Sequence, residues 1–387
     1  MPKLIRITTI PISLDKLLDR QMSFMKKYYE VVAVSSDNNY LNKVGEKEGV
    51  RTFCVEMTRK ITPIKDLKAL WKLYGFLKKE KPLFVHTHTP KAGTIGMIAA
   101  WLAKVPNRLH TVAGLPLLEA KGNKRKLLNL VEKITYVCST RVYPNSMGLK
   151  EIIIKEQFCS EKKLKVIGNG SSNGINTSFF DPTLYNDEDR YKLKQELNIG
   201  NKDLVFIFVG RLVTDKGINE LIEAFGIINI KFPNTKLLLV GPLESDLDPL
   251  KENTLKIIDE CENVIAVGWQ SDVRPYLAIS DALVFPSYRE GFPNVVMQAG
   301  AMGLPSIVTN INGCNEIIIE GENGNIIPVK DSDAIYRAME LYLTNKDFMF
   351  KLKKNVRNLI VSRYEQKVVW EALLEEYKSL EKKSQNV

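Results

Sequence analysis

Residues 282–318, ALVFPSYREGFPNVVMQAGAMGLPSIVTNINGCNEII, contain an apolar run (Ala282–Phe285), a loop, a helix-like stretch and a second apolar run (Pro305–Val308). Each run reads as a buried strand, and a strand returning to its own sheet through a helix must lie parallel to its predecessor. The same alternation recurs along the chain and predicts an α/β protein with parallel sheets covered by helices on both faces. Strands are expected at Lys3–Thr8, Glu30–Val34, Arg51–Val55, Leu83–Thr87, Arg108–Val112, Arg141–Val142 and Lys165–Ile167. A second series is expected at Val205–Val209, Lys236–Val240, Val264–Val267, Ala282–Phe285, Ser306–Val308 and Gly324–Pro328. Helical segments lie between them, for example Ile64–Lys79 and Lys124–Thr140. The polar, turn-rich segment 179–190 reads as the linker, which gives domains at 1–183 and 184–365. The helix Gln366–Lys382 carries Val369, Trp370, Leu373 and Tyr377 on one face.

The loop between the first apolar run and its helix is Pro286-Ser287-Tyr288-Arg289-Glu290-Gly291-Phe292-Pro293. A loop entering a helix N-terminus offers free amide donors and the positive end of the helix dipole, which together hold phosphate. Glu290 beside it can accept hydrogen bonds from sugar hydroxyls. A phosphate cradle next to a hydroxyl acceptor suggests a nucleotide-sugar site. Pro293 has no N–H, so among Gly291, Phe292, Pro293 and Asn294 the expected amide donors are Phe292 and Asn294.

This segment resembles the donor signature of the family-4 retaining glycosyltransferases with the GT-B fold, in which two glutamates stand eight positions apart. Here the first is Glu290 and the second position holds Gln298. FVGRLVTDKGINELIEAF (208–225) resembles the family's phosphate-binding strand-loop-helix, with Gly210, Arg211 and Lys216. NGSSNGINTSFFDP (169–182) is similar to its interdomain segment, and VHTHTPKAG (85–93) and HTVAGLP (110–116) resemble loops of its first domain. In detail the chain is similar to the branch that builds bacterial capsule, O-antigen and exopolysaccharide repeat units. The resemblance implies two Rossmann-like domains facing a central cleft, the terminal helix crossing back to the first. It implies a nucleotide sugar, UDP-linked, held by the second domain and a polyprenyl-diphosphate-linked glycan as acceptor.

Composition narrows the setting. Residues 1–190 hold 32 basic and 18 acidic residues, a net +14, and the remainder carries −4. A basic first half suits an anionic surface or substrate. No helix-turn-helix, zinc-finger or aromatic-basic strand pattern points to nucleic acid. The five cysteines are scattered without metal or redox spacing, so a reduced, cytoplasmic setting is expected. We see no signal-peptide pattern at the N-terminus and no apolar run long enough to span a bilayer.

Transfer of a sugar from a diphosphate builds negative charge on the leaving group, and preorganised positive charge is the main means of stabilising it. Arg211 can grip phosphate with two donors and Lys216 acts as a point charge; their plain alternative is a pair of solvated loop cations. Glu290 is expected to contact the donor sugar and to support an oxocarbenium-like state. A glutamine at 298 offers one acceptor oxygen where glutamate offers two, so a ribose contact there would be weaker. Trp269, after Gly268, is a candidate for the nucleobase contact or else a core tryptophan.

In the first domain the family often carries a histidine where this chain has Ala113. His86, His88, Lys91, Gly93 and His110 are candidates for acceptor contacts; the histidines' alternative is a structural role, and no third ligand suggests a metal. Lys121, Lys124, Arg125 and Lys126 precede the apolar positions Leu127, Leu128, Leu130, Val131 and Ile134. This fits either a helix resting on an anionic membrane or an ordinary core helix with a basic end. The reading is a metal-independent, cofactor-free retaining glycosyltransferase, peripheral at the inner face of the cell membrane. A sugar-nucleotide epimerase and an inactive donor-binding scaffold are the rivals, the latter prompted by Gln298 and Ala113.

Overall fold

The computed structural model describes every residue except 116, 118, 119, 245, 247, 386 and 387. Pro116 of the HTVAGLP motif and the last two residues of the tail 382–387, expected to fray, therefore lie outside the described residues. The chain divides into two compact units. One comprises residues 1–173 and 366–387, the other Gly174–Glu365.

The first unit contains a six-stranded sheet: β1 (Lys3–Ile7), β2 (Glu30–Ser35), β3 (Arg51–Cys54), β4 (Phe84–His88), β5 (Asn107–Val112) and β6 (Arg141–Pro144). The order is β3-β2-β1-β4-β5-β6 and every pairing is parallel. The second unit repeats the plan with β7 (Leu204–Val209), β8 (Thr235–Val240), β9 (Val264–Ala266), β10 (Ala282–Phe285), β11 (Ser306–Thr309) and β12 (Gly324–Ile327). Its order is β12-β11-β10-β7-β8-β9, again all parallel. Helices pack against both sheets, so the strand interiors are apolar without alternation; Phe206, Phe208, Leu237, Leu239, Leu283 and Ile307 are fully buried. In each sheet the strand order reverses once, between β1 and β4 and between β7 and β10. Open α/β sheets bind ligands at the carboxyl ends of the strands flanking such a switch.

Two expectations need correction. Lys165–Ile167 is not a strand: Leu164 makes a single bridge to Val142, the Lys165 amide reaches the Val142 carbonyl at 3.1 Å, and the chain then turns. The segment 179–190 is not the linker, because the crossing falls between Asn173 and Gly174. Arg357 holds the carbonyls of Phe180 and Thr177 and the Asp181 carboxylate. The acidic run that reads as a linker is a helix start: Asn186 and Asp189 form a capping box for the helix Asp187–Glu196. The chain returns to the first unit at Gln366. There Val369 is buried, and Leu373 and Tyr377 pack in one cluster with Leu4, Met25, Tyr29 and Phe84.

The helix Gly122–Cys138 turns Glu132, Thr135 and Tyr136 inward. Leu127, Leu130, Ile134 and Val137 are exposed, so the apolar set is split between two faces. Arg125 is no free cation: it donates to the Leu117 carbonyl at 2.6 Å and pairs with Glu156 at 3.0 Å. Among the described residues no helix is long and apolar enough to cross a membrane.

Candidate functional site

The loops that follow β7 and β10 emerge side by side at the switch point of the second sheet. Their contact requires a glycine. Gly217 has φ +71°, and a Cβ there would lie 2.2 Å from the Pro286 carbonyl oxygen. Only a residue without a side chain allows that approach and that conformation.

Three side chains, Lys216, Arg289 and Tyr288, then stitch the loops together, and Ser287 orients Glu290 within its own loop. Lys216 donates to the carboxylate of Glu290. Arg289 reaches Asp215 at 2.7 Å. The Tyr288 hydroxyl donates to Glu220 at 2.8 Å, and the Tyr288 amide donates to the Asp215 carbonyl at 2.9 Å. The Ser287 hydroxyl bonds Glu290 Oε1 at 3.1 Å. The Asp215-Lys216 and Arg289-Glu290 dipeptides are thus complementary across the two loops. Sequence reading missed Asp215, Ser287 and Arg289; the opposite charge order of the two dipeptides was the available signal.

Arg211, the first residue after Gly210, lies at the same end of β7. Its Nη1 donates to Glu244 at 2.8 Å, and that partner raises its already high pKa. Its guanidinium remains substantially exposed, so a ligand can compete for it. The helix Asn294–Ala301 begins after Pro293 without a side-chain cap. Among the described residues neither the Phe292 nor the Asn294 amide donates a hydrogen bond, which leaves both free for an anion. Gly291 connects Glu290 to this N-terminus. Phe292 is buried, its ring 5.6 Å from that of Tyr364. Gln298 lies one turn further on, half-buried, and among the described residues its amide has no partner. Trp269 is not a core residue: it is 70% exposed. The neighbouring Gly268 carbonyl accepts from the Gly241 amide at 2.8 Å, which ties this loop to the end of β8. Cys314 is buried close to Glu290, and burial pushes its thiol well above the ordinary range, so it is no nucleophile. Among the described residues no group of three His, Cys, Asp or Glu is arranged to hold a metal.

The candidates of the first unit separate by their partners. His86 uses both ring nitrogens, with Tyr377 Oη at 2.6 Å and Thr111 Oγ1 at 2.7 Å. His110 Nδ1 bonds Thr87 Oγ1 at 2.8 Å. Gly93 makes room for that ring, since a Cβ there would lie 2.4 Å from His110 Cε1. Lys91 is paired with Asp66 at 2.8 Å. These four have structural tasks. His88 differs: it is 4% exposed, and among the described residues neither ring nitrogen has a hydrogen-bond partner. Leaving a buried polar group unpaired costs about 1–3 kcal/mol.

Two Rossmann-like units, the second with paired cations, a carboxylate and an uncapped helix start at its switch point, have the construction of GT-B glycosyltransferases. Residues 189–359 match the family of glycosyl transferases group 1, and residues 25–170 match the glycosyl transferase 4-like domain. The chain is 35% identical over 385 residues to the capsular polysaccharide biosynthesis glycosyltransferase CapM of Staphylococcus aureus, covering 99% of this chain and 98% of the relative. It is 35% identical over 324 residues to the UDP-Gal:alpha-D-GlcNAc-diphosphoundecaprenol alpha-1,3-galactosyltransferase of Escherichia coli, covering 82% of this chain and 81% of that one. The crystal structure of Anabaena HepE in complex with UDP superposes with a TM-score of 0.80 at 18% identity, covering 98% of this chain and all (100%) of that one. The chain belongs to the GT-B glycosyltransferases of bacterial capsule and surface-polysaccharide biosynthesis.

Proposed function

We propose that this protein transfers a sugar, with retention of anomeric configuration, from a UDP-sugar held by the second unit to a polyprenyl-diphosphate-linked glycan. The observation that carries this reading is the Lys216–Glu290 pair beside Arg211 at the switch point. The diphosphate would displace Glu244 from Arg211 and lie against Lys216 and the free amides of Phe292 and Asn294. These donors are fixed before the bond breaks, so they stabilise the leaving charge without reorganising. Glu290, oriented by Lys216 and Ser287, would receive the sugar hydroxyls and face the positive charge that develops on the ring. Exposed Trp269 would cover the base and Gln298 would reach the ribose. The two cations would do the work of a divalent ion, so the reaction is metal-independent and needs no cofactor.

The names of the relatives support the substrate classes. The E. coli relative takes UDP-Gal and a diphosphoundecaprenol-linked sugar, and a Campylobacter jejuni relative, 27% identical over 353 residues, is an alpha-1,3-N-acetylgalactosaminyltransferase for another such acceptor. A lipid-linked acceptor calls for work at a membrane surface on the cytoplasmic side. Two surfaces of the first unit support that. Leu127, Leu130, Ile134 and Val137 form an exposed stripe accompanied by Lys121, Lys124, Lys126 and Lys133. On the helix Pro63–Glu80, Ile64, Leu67 and Trp71 are 75%, 56% and 55% exposed. That helix's two carboxylates are engaged elsewhere, Asp66 with Lys91 and Glu80 with Lys3 and Arg51. Its open face is therefore left with lysines alone, as an anionic leaflet requires.

The test is transfer from a panel of UDP-sugars to GlcNAc-diphosphoundecaprenol and related lipid-linked sugars, with the product's anomeric proton read by NMR. The expected product keeps the donor's alpha configuration and forms equally well in excess chelator. An inverted product, or a strict need for magnesium, would contradict the mechanism.

A further inference from the structure

The loops after β7 and β10 are met from a third side by the turn that follows β12. Lys330 stands in that turn, just before Asp331, which caps the helix Ser332–Thr344. Among the described residues of the second unit, two that are not glycine have a positive φ, Asn198 at +54° and Lys330 at +59°. Asparagine tolerates that conformation; a lysine there is strained, because its Cβ crowds the following carbonyl. Glycine would relieve the strain. What lysine offers instead is an ammonium group, and that group lies over the Tyr288 ring, 4.8 Å from its centroid.

Tyr288 is one of the residues by which the loop after β10 grips the loop after β7. Its amide donates to the Asp215 carbonyl at 2.9 Å and its hydroxyl to Glu220 at 2.8 Å. Burial, the hydrogen bond to Glu220 and the charges of Glu220, Asp248 and Asp215 all raise the phenol's pKa, so it remains a donor. A cation over the ring is attracted by the π face and offsets that negative field. Two residues further on, the same loop presents Glu290. We propose that Lys330 is a positioning residue for the transfer: its ammonium holds Tyr288, and through Tyr288 the loop that carries Glu290. The inference rests on the donor-site reading for the word transfer, while the brace itself stands on the geometry. Strained backbone of this kind collects beside ligand sites, where it persists because the surrounding contacts hold it.

Three substitutions separate the backbone from the charge. Lys330→Gly removes the strain and the cation, Lys330→Gln removes the cation alone, and Lys330→Arg keeps both. Hydrogen–deuterium exchange on the full chain, without donor or acceptor, follows the peptide spanning 286–292, whose Tyr288 amide is bonded to Asp215. We expect Lys330→Gly and Lys330→Gln each to speed exchange there about two- to fivefold, the loss of one exposed cation–π contact, and Lys330→Arg to leave it unchanged. The urea midpoint of Lys330→Gly should not fall, because relief of the backbone offsets the lost contact. Unchanged exchange in Lys330→Gln, or faster exchange in Lys330→Gly alone, would leave the cation without a role and overturn the proposal. A lower midpoint with faster exchange along the whole chain would make Lys330 a general stabiliser and overturn it too. Exchange needs no turnover, so it is decided separately from the transferase reading. Where a donor and acceptor pair supports transfer, Lys330→Gln should lower kcat about two- to fivefold at unchanged UDP affinity, and Lys330→Arg should keep the natural rate. An unchanged kcat in Lys330→Gln would also overturn it.

Discussion

Lys216 donates to Glu290 across the gap between two loops, so the cation assigned to the phosphate and the carboxylate assigned to the sugar are already one unit before any ligand arrives. The parallel Asp215–Arg289 pair locks the same loops from the other side. A site built this way has its charges preorganised, and a change to either partner acts on both.

Arg211→Ala and Lys216→Ala should each weaken UDP binding by about 1.5–3 kcal/mol, the range for hydrogen bonds to charged groups. Calorimetry with UDP measures this. Unchanged affinity in both variants would move the diphosphate elsewhere. Glu244→Gln should do the reverse and tighten UDP binding, because it removes the group that competes for Arg211 at 2.8 Å.

Gln298→Glu should bind the donor at least as tightly as the natural chain. A carboxylate can accept from both ribose hydroxyls, and the present amide forgoes no partner among the described residues. A large loss of affinity, measured by the same calorimetry, would show a pocket shaped around the amide and would favour the inactive-scaffold reading.

The protein should sediment with anionic liposomes at low salt and leave them as salt rises, since each exposed lysine near the leaflet contributes about 1 kcal/mol within a Debye length. Replacing Lys121, Lys124, Lys126 and Lys133 with Ser should weaken the binding and leave UDP affinity unchanged. Arg125 is left alone because it holds Leu117 and Glu156. Equal sedimentation with neutral liposomes, or none with either, would remove the electrostatic anchor.

Two glycines of the first unit should respond in opposite directions. Gly93→Ala places a Cβ 2.4 Å from the His110 ring and should destabilise by about 1–3 kcal/mol. Gly75→Ala, on the exposed face of the helix Pro63–Glu80, meets nothing within 4 Å and should stabilise by about 0.5–1 kcal/mol. Urea midpoints of the two variants check the pair; a neutral Gly93→Ala would return that residue to the ligand candidates.

Most strands were legible because both sheets are buried on both faces, so runs such as Leu204–Val209 and Ala282–Phe285 stand out as apolar blocks between turns. The loops of the second unit were singled out for a different reason, the resemblance of 208–225 and 282–318 to donor-site segments of the family. What stayed hidden depends on partners distant in sequence. Nothing local distinguishes His88, with both nitrogens unpaired, from His86, with both satisfied by Tyr377 and Thr111. Nothing local says that Leu128 packs inward while Leu127 faces out, since apolar residues occupy both sides of that helix. The acidic run Asp187–Asp189 resembles a linker until Asn186 is seen to cap a helix.

The most direct test of the donor site is the turnover of Glu290→Gln. The amide keeps the size of the side chain and removes the charge that faces the sugar. Turnover should fall at least about 100-fold, with UDP affinity nearly intact and the fold unchanged. Turnover close to that of the natural enzyme would contradict the assignment of Glu290 and, with it, the mechanism built on the Lys216–Glu290 pair.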